Sequence, residues 1–133
     1  MGFEAFVQCY GKTEQSGLSR DRVRALFPVD KESDPGCWTV RYGPTDWCDL
    51  YVRTKGDRLN GFMVSRPCCD TRLWDALLTV LQLGDVVMFW PGSPPMIGSA
   101  EGATRLPEDM VRSLGKPVLI SRAEQFIELL KKT

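Results

Sequence analysis

The sequence predicts an α+β fold. It reads as a single domain with an antiparallel meander, extended to a mixed sheet of about five to six strands with helices packed mainly on one face. Three observations carry this. Strand-like segments follow one another across short turns between 37 and 66. A strongly apolar helical segment at 71–83 leads, after one glycine, into a fully apolar strand. Further helix starts with recognisable caps alternate with short strands to the end of the chain.

The elements are justified in order. "FEAFVQCY" alternates Phe3, Ala5, Val7 and Cys9 with Glu4, Phe6, Gln8 and Tyr10. That is the period of a strand, and apolar groups on both faces suit a buried one. "GKTEQSG" is a loop. Ser19 caps a helix over about 20–27, with Leu18 and Val23 at the staple positions and Pro28 ending it. "DKESDPG" is a polar loop. "CWTVRY" sets Trp38, Val40 and Tyr42 on one face, and "CDLYVR" sets Cys48, Leu50 and Val52 together. "RLNGFMVSR" completes the meander, with Gly61 marking a bulge.

Asp70 is the N-cap of the 71–83 helix, and Gly84 stands where helices turn left-handed. This helix is apolar over most of its circumference, which predicts burial against the sheet. "DVVMFW" reads as an interior strand. Residues 91–104, with Pro94-Pro95 and several small residues, form the one long irregular segment. Pro107 opens a helix with Glu108 and Asp109 in its first turn and Gly115 as its stop. "PVLI" is a short strand. Ser121 and Glu124 make a capping box for a last helix to about Lys132.

The chain of 133 residues fits one domain, 1–133, large enough to build a core. It contains no apolar run of about 18 residues, so no membrane span is expected. Its start, "MGFEAFVQCYGK", carries no signal-peptide pattern, and Phe6 stands where a myristoylation signal wants Ser or Thr. A bacterial-type cytosolic, soluble protein is the expectation. Charge balances at 17 basic and 17 acidic residues, without the basic excess of a nucleic-acid binder. Five cysteines with no signal peptide read as free thiols in a reducing compartment.

The chain has no histidine, which removes Ser-His-Asp triads, histidine general bases and zincins in their usual forms. No dinucleotide or P-loop motif occurs, and the cysteines show no spaced metal-binding pair. No cofactor and no metal is therefore expected. Cys68 and Cys69 precede the helix at Asp70. Cys69 and Trp74 occupy the staple positions, where a free cysteine serves as a small apolar group. A thiol outside a helix N-terminus also feels the positive end of the dipole, which lowers its pKa. The pair thus carries an alternative reading: a small-molecule binder, an enzyme or a thiol-based redox sensor with its site near Cys68 and Cys69.

The four tryptophans are Trp38, Trp47, Trp74 and Trp90. Trp47 follows a turn, and Trp90 stands at the mouth of the 91–104 loop. Tryptophans at loop edges are enriched in binding hot spots. Trp47, Trp90, Pro94, Pro95 and Met96 are accordingly the expected partner surface. "CDLYVR…GFMVSRPC" followed by "LWDALLTVLQLGDVVMFW" describes a meander and a helix, and in size and element order only the chain is similar to the diverse immunity proteins that neutralise secreted toxins. The missing ingredients for catalysis favour a non-enzymatic protein-binding module whose partner is another protein; the resemblance gives its sharpest form, an immunity- or antitoxin-like inhibitor of a toxin. A homodimer through a sheet edge or apolar loops is the further expectation.

Overall fold

The structure, a computed structural model, describes residues 3–11, 17–33, 36–68 and 70–132. Its strands are β1 (Glu4–Cys9), β2 (Leu18–Ser19), β3 (Val29–Ser33), β4 (Cys37–Arg41), β5 (Trp47–Lys55), β6 (Arg58–Ser65), β7 (Val86–Phe89), β8 (Met96–Ile97) and β9 (Val118–Leu119). Its helices are α1 (Arg20–Arg24), α2 (Thr71–Leu81), α3 (Ala100–Arg105), α4 (Glu108–Leu114) and α5 (Glu124–Lys132).

The strands form one mixed sheet in the order β3-β4-β5-β6-β1-β7-β8-β9, with β2 paired to the start of β6. The meander β3 to β6 is antiparallel, as the short turns demand. Among the described residues, only β8 and β9 pair in parallel. β1 lies between β6 and β7. Its apolar groups on both faces thus belong to an interior strand.

The α+β class stands, but among the described residues the sheet has nine strands rather than five or six. β3 comes from the polar stretch expected to be a loop. It is an edge strand with Asp30, Lys31 and Glu32 exposed, so it has no apolar alternation to read. β8 and α3 lie inside the segment expected to be irregular. There Ser99 caps α3 by accepting from the Gly102 N–H at 3.1 Å. Met96 and Ile97 pair with β7 on one side and β9 on the other. The prolines before them prevent a longer strand but not these two pairings.

One face of the sheet carries the main core. Ala5, Val7, Trp38, Leu50, Val64 and Met88 point into it, together with Val23 of α1, Leu73, Trp74 and Leu77 of α2, and Phe126 of α5. Trp74 packs against Trp90 and Phe126, with ring centroids 6.3 and 5.5 Å apart. The helices are not confined to that face. α3 and α4 lie on the opposite side, where Ala103, Leu106, Met110 and Val111 close over Tyr10, Val87 and Ile97. The fit there is tight. A Cβ on Gly102 would meet the Tyr10 Oη at 2.6 Å, and that hydroxyl donates to the Gly102 carbonyl at 2.8 Å.

Local signals hold with small shifts. Ser19 and Asp70 cap α1 and α2 by accepting from the N–H of Arg22 and Arg72. α2 stops at Leu81, where the Gln82 N–H donates to Leu78 and Thr79. Gly84 does not adopt a left-handed conformation, so it is not the expected stop. At α5 the side chain that reaches back is Gln125 rather than Glu124. Its Oε1 accepts from the Ser121 and Arg122 N–H groups at 2.7 and 2.9 Å. Among the described residues, no helix is long and apolar enough to cross a membrane.

Candidate binding face on the sheet

Side chains alternate along a strand, so burying Cys48 and Leu50 of β5 sends Trp47, Asp49, Tyr51 and Arg53 to the other face. The same phase puts Met63 of β6, Phe6 and Gln8 of β1, and Phe89 of β7 on that face. Pairing sets them in register. Tyr51 lies opposite Met63, Met63 opposite Phe6, and Phe6 opposite Phe89. The result is a row of four apolar side chains across four adjacent strands. The Phe6 and Phe89 rings stack, with centroids 5.5 Å apart and planes 23° from parallel.

Among the described residues, α3 and α4 cover this face over β7, β8 and Tyr10 just past the end of β1. The rest is open. Trp47 and Tyr51 are 44% and 45% exposed. Phe6, Gln8, Tyr51, Arg53, Met63 and Phe89 line a shallow depression of about 430 Å³. It runs on, through Gln8 and Phe89, into a second hollow of about 480 Å³ along α4, lined by Asp109, Met110, Ser113 and Leu114. Together they form a trough with the sheet as floor and α4 as one wall.

The charges around the trough fall into two groups. Arg41 is held by Asp30 at 3.1 Å and lies over the Trp47 ring. Asp49 accepts from the Thr39 hydroxyl at 2.9 Å. Arg53 and Arg66 have no ion-pair partner among the described residues. Arg53 lies over Gly61, in the row next to Gln8. Arg66, in a left-handed conformation at φ 53°, sits near the Tyr51 phenol. The phenol pKa is raised by Cys37 first and then Asp49, and Arg66 opposes them.

The expected partner surface divides. Trp47 is on the open face. Trp90 is 2% exposed, and Pro95 and Met96 are buried with it. Pro94 is half-buried. Trp90 lies in the core between Phe3 and Trp74, so it does not form an exposed surface with Trp47. Trp90 continues the inward phase of Val86 and Met88, and pairing in β8 holds Met96 in the sheet. The sequence pattern does not single out Phe6, Tyr51, Met63, Phe89 and Arg53. The only signal it holds for them is the second apolar phase in their strands, which reads equally well as a buried face.

The cysteines before α2 present different chemistry. Cys69 lies outside the described residues, and with it the expected staple to Trp74. Cys48 and Cys68 are free thiols that lie close enough to influence each other's ionisation. Burial, rather than the helix dipole, dominates both. It pushes Cys48 up to about 12 and raises Cys68. Nearby, Arg72 donates to Asp70 at 2.8 Å and to the Tyr42 carbonyl at 3.0 Å, and lies over the Tyr42 ring. These groups tie α2 to the turn after β4. Among the described residues, no group of three or more His, Cys, Asp or Glu side chains is arranged to hold a metal ion.

Comparison with protein-family models, with curated proteins and with solved structures finds no match.

Proposed function

We propose that this chain is a protein-binding module without turnover, which holds another protein against the open half of its sheet. The observation that carries the reading is the row Tyr51–Met63–Phe6–Phe89, four apolar side chains in register on one face of the sheet, which among the described residues α4 borders at Phe89 and no helix covers at Tyr51, Met63 and Phe6. An apolar patch of this kind, rimmed by polar groups, marks an interaction surface. Aromatic and methionine side chains with a neighbouring arginine are also the residue types enriched at interfaces. An immunity-type inhibitor, which acts by occupying a toxin, is the sharpest form of this reading.

The test is site-specific photo-cross-linking in the source cell. A benzophenone amino acid at position 51 reports on the open face, and one at exposed Gln82 reports on the opposite side. A discrete protein adduct at 51 and none at 82 is the expected result. Absence of an adduct at 51, or the same adducts at both positions, would remove the proposal.

A further inference from the structure

Resting on that protein-binding reading, we infer that the trough takes an amphipathic α-helix of the partner, with carboxylates along the flank that meets Arg53 and Arg66. Three features point to it.

The first is the hydrogen-bonding state of the floor. β5, β6, β1 and β7 are each paired on both sides, so the trough offers no strand edge. An extended segment laid across Phe6 and Met63 would leave its own N–H and C=O groups facing apolar side chains. A helix satisfies its backbone internally and brings only side chains to the floor.

The second is width. From β5 to β7 is three strand spacings, about 14 Å. A helix with its side chains is about 10–12 Å across. The floor between Arg53 and the α4 wall therefore admits one helix and not two.

The third is charge. Arg53, without an ion partner among the described residues, stands at the β5 end of the trough, and Arg66, likewise without one, follows the end of β6, the strand next to β5. Asp109 stands on the α4 side. A helix lying along the strands, with apolar residues where it crosses the Met63–Phe6–Phe89 row, acids toward β5 and basic or neutral groups toward α4 matches both walls.

A displayed peptide library tests this while the partner is still unidentified. Helical peptides of about 18 residues would carry a fixed apolar stripe and randomised flanking positions. Selection on the intact protein is expected to enrich Asp and Glu along one flank. Selection on the Arg53→Glu/Arg66→Glu variant is expected to enrich Lys and Arg there instead. Acid-flanked peptides should bind that variant about tenfold more weakly, the scale of two exposed charge pairs. A circular dichroism spectrum like that of the unchanged protein verifies the variant's fold.

Binders that compete at Tyr51 but show no charge preference, or the same preference on the variant, would overturn the inference and leave the binding reading standing. So would selected peptides that bind in an extended form. Tyr51-dependent binding of a single-stranded oligonucleotide with no peptide selected would overturn both. Peptide selection that gives no Tyr51-competing binder would overturn the inference, and an absence of cross-links at 51 besides would remove the binding reading too.

Discussion

Arg53 lies across Gly61 on the open face of the sheet. A methyl group at Gly61 would stand 3.3 Å from the Arg53 Nη2 and 2.5 Å from the carbonyl oxygen of Val7. The missing side chain therefore does two things. It lets β1 and β6 approach closely, and it gives the guanidinium a place to lie. Gly61→Ala should cost about 1–3 kcal/mol, the scale of overpacking, because the atom it meets is backbone and cannot rotate away. Urea unfolding reads this out. An unchanged midpoint would mean that the strands separate there at little cost.

Trp90 and Tyr51 should behave as opposites. Trp90→Ala empties a site between Phe3 and Trp74 and should cost about 3–5 kcal/mol, as large aromatic truncations in a core do. Tyr51→Ala removes an exposed ring and should leave the unfolding midpoint near that of the unchanged protein. Denaturation of the two variants side by side checks which of them faces the core.

Asp70 couples stability to acid. Its hydrogen bonds from the Arg72 side chain and N–H hold its pKa down at about 2, below the ordinary 3.8. A group lowered in the folded state contributes stability that is present above the ordinary pKa and lost as pH falls toward the folded one. The contribution of Asp70 should therefore fade between about pH 4 and about pH 2. In Asp70→Asn, which keeps an N-cap acceptor, this part of the acid dependence should disappear. Thermal melts of both proteins across that range measure it.

Cys48 should resist modification. Burial pushes its pKa up to about 12, so the folded protein holds almost no thiolate there at neutral pH. Thiol titration at pH 8 should leave Cys48 unmodified until denaturant is added, with mass spectrometry assigning the site. Linkage gives a second consequence. The unfolded thiol ionises near 9.0 while the folded one stays protonated, so stability should fall from about pH 9 toward about pH 12. Cys48→Ala should show a shallower decline over that range.

Much of the fold is legible in local residue order. The cap at Asp70, the alternation of Cys48, Leu50 and Val52, and the stop at Gly115 are decided by neighbours in the chain. The register shift beside Arg53 comes one residue from Gly61, where a bulge is expected. The binding face is much less legible. Phe6 and Val7 look alike to a periodicity argument, since both are apolar in a strand that pairs on both sides. Trp47 and Trp90 both flank loops, yet one is exposed and the other is core.

Residue order is enough for the α+β class, the meander, the central apolar helix and most helix boundaries, because caps, turns and alternation act over a few residues. It is not enough for β3 and β8 as strands, for Trp90 and Met96 as core, or for the open face that Phe6, Tyr51, Met63 and Phe89 share. Those outcomes follow from the folded arrangement, above all from where α3 and α4 come to rest relative to β1 and β7. That placement is a balance of long-range packing between residues distant in the chain, which no local pattern records.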